Sequence, residues 1–129
     1  MFKFDKSKSK LRNEKGASAV EFALVLPIFV SVIFAIFQFG IAFNNWIAIT
    51  HAAREGARLA AVGQYDEQRV RDSAPSVKNI IDVSISGQDG AIGDPVTVIV
   101  TLNVLNFEIP FAGSYSIPLK STAVMRLEQ

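Results

Sequence analysis

The chain has 129 residues, half of them hydrophobic, and a net charge of +1, so one small folded domain at most is expected. It contains no cysteine and a single histidine, His51, which excludes a disulfide framework and a thiolate metal site and leaves no basis for a histidine-based metal cluster. The small net charge hides an asymmetry: residues 1–16 carry six bases against two acids, whereas residues 17–129 carry seven against ten.

The basic block, residues 1–16 (Lys3, Lys6, Lys8, Lys10, Arg12 and Lys15 among them), directly precedes an apolar run. From Phe22 to Phe43 no residue is formally charged, and only Ser31 and Gln38 are clearly polar. A helix of this length reaches about 33 Å, enough to cross a bilayer core of roughly 30 Å. By the positive-inside rule the basic end is expected in the cytoplasm and the C-terminal part outside. A secretory signal peptide has a shorter apolar region followed by a small-residue cleavage site, so a retained anchor is the expectation. Pro27 lies inside the run. It cannot donate to the Ala23 carbonyl, and a kink or local unwinding is predicted there.

The helix is expected to continue past the run, giving a helix over 17–63. Between Ile47 and Val62 there is no proline and much alanine, the best helix former. Ala48, Ala52, Gly56 and Ala60 recur every four residues and share one face. Small residues in this pattern let a neighbour approach closely, and the neighbour is either another helix or the chain's own sheet. Arg54, Glu55 and Arg58 fall on the opposite side with His51 near them, and Glu55 is placed to pair with Arg58. Asn44, Asn45 and Trp46 fit an outer membrane interface. Gly63 is the expected helix stop.

Beyond Gly63 the pattern changes. Tyr65 to Ser73 reads as a short polar helix, capped by Asp66 and blocked by Pro75. Three alternating sets follow: Ile81, Val83 and Ile85; Val96, Val98, Val100, Leu102 and Val104; and Ile117, Leu119, Ser121, Ala123, Met125 and Leu127. Turn residues separate them at Gly87 to Pro95 and around Pro110-Phe111-Ala112-Gly113. The predicted class is α+β. A long N-terminal transmembrane helix extends out of the membrane and packs on a small three-stranded antiparallel meander, whose one covered face meets the Ala-rich helix. Residues 64–129 form the expected exported domain.

Four stretches carry a family resemblance. Gly16-Ala17-Ser18-Ala19-Val20-Glu21-Phe22, after a basic leader and before an apolar helix, resembles the processing site of type IV prepilins and of tight-adherence (Flp-type) pilins. Ala52-Ala53-Arg54-Glu55-Gly56-Ala57-Arg58 is similar to a segment of TadE-like proteins, and Gly93 to Val98 and Ala123 to Arg126 look similar to the same family. The resemblance implies cleavage after Gly16 by a prepilin peptidase, leaving Ala17 as the new N-terminus. The major Flp pilin is very short, and this chain is not, so the minor, TadE-like class is implied.

In that picture Glu21 has a task. The Ala17 amine and the Glu21 carboxylate would lie four residues apart, about 6 Å along the helix axis. Glu21 also suits the positive end of the helix dipole. Between subunits, Glu21 of one chain can meet the Ala17 amine of another and set the axial register of the helices, with Phe22 beside it. A carboxylate at the bilayer centre costs roughly 2.5–3.5 kcal/mol, and less near the interface, part of which such pairing recovers. The other reading of Glu21 is an interfacial residue with its head group in water.

No phosphate-cradling Gly loop, G-x-S-x-G or metal-ligand spacing occurs, so neither enzymatic activity nor a cofactor or metal is expected. Three function classes stand. The first is a minor pseudopilin of a Flp-type pilus system, acting in initiation, assembly or tip structure. The second is an uncleaved accessory membrane protein of the same machine. The third is an unrelated membrane-anchored binding module. The partners implied are the prepilin peptidase, other Flp-type pilins and pseudopilins, the inner-membrane assembly platform and the lipid bilayer, with no nucleic acid. The implied location is the bacterial inner membrane, as a single-pass protein that enters the pilus in one version of the reading. The charge asymmetry predicts that a reporter enzyme active only in the export compartment, fused after Gln129, is active. Activity of a cytoplasm-only reporter at the same point would overturn that orientation.

Overall fold

The basic block, the apolar run and the Ala-rich segment all consist mostly of helix-compatible residues. In the computed structural model they form one helix, α1 (Lys6–Ala61). The structure describes residues 6–103, 106–109 and 113–128. Of the residues singled out above, Lys3, Val104, Pro110, Phe111 and Ala112 lie outside the described residues. The helix already covers Lys6 to Gly16, N-terminal to the expected start at Ala17, a stretch that holds several good helix formers in its lysines, Leu11, Arg12 and Glu14. It also passes through Pro27 without a break in helical assignment, so the expected unwinding is not seen. Proline removes only the one bond to Ala23, and the Ser31 hydroxyl donates to the Pro27 carbonyl at 2.8 Å.

The chain divides into two units, one ending at Phe37 and the other starting at Gln38. The described residues of the first are all helix. Its large apolar side chains are exposed on every side: Phe22 is 66% exposed, Leu24 71% and Ile28 67%. A helix apolar all round belongs in a protein core or in a membrane.

The second unit holds the rest of α1 and all of the remaining elements. Ile49, Ala52, Ala53, Gly56, Ala57 and Ala60 are buried, at the spacing that gathers them on one helix face. The helix ends where Gly63 takes a left-handed conformation at φ +69°. Its N–H donates to the Ala60 carbonyl at 3.1 Å, and the Gln64 N–H donates to the Leu59 carbonyl at 2.8 Å. This is the Schellman closure, and glycine is the residue that adopts it without strain. Near the other end of the unit, the Glu128 N–H donates to the Ala61 carbonyl at 2.9 Å and so satisfies another orphan of the helix terminus.

A short helix, α2 (Glu67–Asp72), follows, with Asp66 as its cap accepting from the Gln68 N–H at 2.9 Å. Its Val70 is buried against α1. Arg71 pairs with Glu67 at 2.7 Å and donates to the Ile81 carbonyl at 2.5 Å, tying α2 to the start of the sheet.

The sheet has three antiparallel strands in the order β1 (Ile81–Ser86), β2 (Pro95–Leu102) and β5 (Leu119–Arg126). The register puts Ile85 opposite Val98 and Val98 opposite Ala123, so the alternating residues of all three strands share one face. The central strand contributes Val96, Val98, Val100 and Leu102, none of which retains any exposure. The predicted α+β class, a long apolar helix with a three-stranded antiparallel sheet, is the one observed.

The meander has one addition. Between β2 and β5 the chain forms a second, two-stranded sheet, β3 (Asn106–Ile109) with β4 (Gly113–Ser116), where a loop was expected. Each strand is four residues long and mixes polar and apolar groups, too little for a period of two to show.

Helix α1 meets the central strand and α2 tightly at Gly56, where an added Cβ would sit 3.0 Å from Val98 Cγ1 and 3.1 Å from Val70 Cγ2. Gly56→Leu is therefore expected to destabilise the folded part by about 1–3 kcal/mol through overpacking. Denaturant unfolding of the detergent-solubilised chain, followed by circular dichroism, measures this. An unchanged midpoint would show that the helix does not seat here.

Candidate functional site

The residues of the predicted processing stretch, Gly16 to Phe22, all lie within α1 and are all exposed. Gly16 has open space around it, since an added Cβ would meet nothing within 4 Å. The fold of this chain therefore makes no steric demand for glycine at that position. Glycine instead weakens the helix there, by about 1 kcal/mol relative to alanine. Ala17 and Glu21 stand one helical turn apart. Among the described residues Glu21 makes no ion pair.

The second predicted set is placed differently. Ala52, Gly56 and Ala60 are buried and Ala48 is half-buried, all in the unit that begins at Gln38. Their face is filled by β2 and by Val70 of the same chain, as the Gly56 contacts show. Of the two neighbours this face suits, the chain's own sheet occupies it. A polar link lies alongside: Ser121 on β5 donates to Thr50 Oγ1 at 3.3 Å, and Thr50 donates to the Trp46 carbonyl at 2.8 Å.

The opposite side of this helix segment carries the charges. Arg58 holds Glu55 through two bonds, from Nε to Oε2 at 3.0 Å and from Nη2 to Oε1 at 2.7 Å. The bond from Arg58 holds the Glu55 carboxyl below the usual carboxylate range, and the same pairing raises Arg58. An open groove runs beside them, lined by His51, Arg54, Arg58, Arg69 and Met125. A second groove is lined by Phe43, Trp46, Ile47 and Thr50, and it shares His51 and Arg54 with the first.

Sequence reading missed two of these placements. Arg69 reaches the groove from α2, and nothing in its own surroundings signals a long-range approach to Arg54. Gln38, noted only as a polar residue in an apolar run, donates from its amide to the Glu108 carbonyl at 2.8 Å. That carbonyl belongs to β3, a strand that the reading did not include.

Comparison with known families bears on the first part of the chain. Residues 16–58 match the family model described as TadE-like protein. The match agrees with the resemblance drawn from the two motifs. It covers the stretch that starts at Gly16 and ends at Arg58, and it stops short of the strands, so the similarity seen in Gly93 to Val98 and Ala123 to Arg126 lies outside it. No curated protein and no solved structure matches the chain. Among the described residues one helix, near the N-terminal end, is long and apolar enough to cross a membrane, and the TadE-like stretch lies within it, in keeping with a membrane-anchored protein.

The open space at Gly16 separates a structural from a recognition role. Gly16→Leu is expected to leave the unfolding midpoint of the folded part unchanged, and to leave the chain at its uncut length in cells with an active prepilin peptidase. Gel mobility and N-terminal sequencing measure the second effect. Cleavage of the Gly16→Leu chain would remove the processing role of this glycine.

Proposed function

We propose that the chain is a minor pseudopilin of a tight-adherence pilus system, a structural subunit rather than an enzyme, acting in initiation, assembly or tip structure. In this reading a prepilin peptidase cuts after Gly16. The apolar part of α1 then holds the protein in the cytoplasmic membrane, with the sheet on the exported side. The observation that carries the reading is the TadE-like stretch itself. It joins a small-residue processing motif to an apolar helix most of whose large side chains are exposed, a surface suited to lipid or to other helices.

Glu21 acts at assembly. Its carboxylate is unpaired among the described residues and sits one turn from the predicted new amine. In a neighbouring subunit that amine is its natural counter-charge in a medium of low dielectric.

A second reading, an uncleaved accessory membrane protein of the same machine, has one observation in its favour. The helix runs without interruption from Lys6 through the Gly16–Ala17 bond. A peptidase needs that bond opened from the helix, which the weak helix propensity of Gly16 assists but does not accomplish alone.

Two measurements test the proposal. The mature protein from membranes is expected to begin at Ala17, and a retained Lys-rich leader would favour the second reading. Glu21→Gln keeps the shape and removes the charge. Insertion is expected to be no worse, since a neutral amide is cheaper than a carboxylate in lipid. Cleavage is expected to persist, while piliation and recovery of partner pilins fall. Normal piliation at normal protein level would leave Glu21 as an interfacial residue only.

A further inference from the structure

The two grooves beside α1 share His51 and Arg54, and the chemistry changes from one to the other. Phe43, Trp46 and Ile47 line the apolar part, and all three are substantially exposed. Arg54, Arg58 and Arg69 line the basic part, while His51 and Arg54 border both. The grooves measure about 540 Å³ and 280 Å³ for the basic and apolar parts respectively. Glu55 is the acid in the basic part, and it is already engaged by Arg58. Among the described residues neither Arg54 nor Arg69 takes part in an ion pair. Arg69 lies near enough to Glu55 to help hold its carboxyl down, so three guanidinium groups share one carboxylate in the groove and leave a surplus of positive charge.

The sequence places this feature at a boundary. From Phe22 to Thr50 there is no Asp, Glu, Lys or Arg, and His51 and Arg54 are the first basic side chains after that stretch. A tryptophan at the end of an apolar helix, followed by arginines, is the arrangement that sits at headgroup level in a bilayer. Guanidinium forks suit a phosphate in particular, since their paired donors match its oxygens.

We propose that this groove binds a phospholipid with an anionic headgroup, its phosphodiester held by Arg54 and Arg69 and its upper acyl carbons lying against Phe43, Trp46 and Ile47. The inference rests on the membrane-anchored reading given above. It adds a specific lipid contact along the charged side of α1, where α2 and Met125 of β5 border the groove. The bound lipid orients the folded part on the bilayer, because the cations come from both α1 and α2 and one headgroup bridges them.

Trp46 is the only tryptophan and lines the apolar groove, so it reports directly on lipid there. The full chain is reconstituted in phosphatidylcholine vesicles. Bromine-labelled acyl chains are carried at equal mole fraction either by phosphatidylcholine or by phosphatidylglycerol. Stronger quenching of Trp46 by the anionic lipid is expected, corresponding to about a tenfold preference at the groove. The double change Arg54→Gln and Arg69→Gln is expected to bring the anionic lipid down to the zwitterionic level, with an unchanged unfolding midpoint. Equal quenching by the two lipids in the unchanged protein, or a preference that survives the double change, would overturn the proposal and leave the membrane anchor standing. Quenching by neither lipid would overturn the anchor as well. Millimolar inorganic phosphate, matched in ionic strength by chloride, is expected to leave the preference in place. Its selective loss in phosphate would make the groove a site for a soluble anion and overturn the lipid assignment.

Discussion

The folded part depends on how near α1 can come to β2. Alanine and glycine at Ala52, Ala53, Gly56, Ala57 and Ala60 remove side-chain bulk from one helix face, and Val98 and Val70 fill the space at Gly56 to contact distance. With the helix that close, the central strand is fully covered and Val96, Val98, Val100 and Leu102 lose all exposure. Burying a side chain of this size contributes about 1.5–3 kcal/mol. The neighbouring strands then have one available register, because a shift by one residue would turn their apolar set outward. The same contact turns the polar residues of the helix outward, which is why His51, Arg54 and Arg58 line an open groove.

The two ends of α1 satisfy different constraints with similar composition. Past Gln38 the apolar residues include a small-residue face that finds its partner within the chain. From Val20 to Phe37 most of the large apolar residues are exposed. A helix of this length and apolarity is in keeping with a membrane anchor. Of the residues read as functional, Gly16, Ala17, Glu21 and Phe22 lie in this first unit, and Ala48, Ala52, Gly56 and Ala60 lie in the second.

The hydrogen bond from Gln38 to the Glu108 carbonyl qualifies the simplest picture of the span. Gln38 lies within the uncharged run from Phe22 to Phe43, yet its amide is bound to a strand of the folded unit. A polar amide in an apolar run costs free energy unless it is satisfied, and the β3 carbonyl satisfies it. Phe107 of the same strand packs against the core. The end of the apolar run is therefore shared between its surroundings and the folded unit.

Much of this was legible from residue order alone. The period of the small residues from Ala48 to Ala60 marked the helix face that packs. The alternation at Ile81, Val96 and Leu119 marked three strands with one covered side. Asp66 and Gly63 marked a cap and a stop. These are local properties, since a period or a cap is written within a few consecutive residues. The motif from Gly16 to Phe22 and the alanine-rich segment also carried the TadE-like likeness that the family match bears out over residues 16–58. The tertiary structure alone decided which distant groups meet: Arg69 with the groove of Arg54, Gln38 with Glu108, and β3 with β4 as a separate hairpin. Such meetings depend on how packed elements are placed in space, and no periodicity within a single segment encodes that placement.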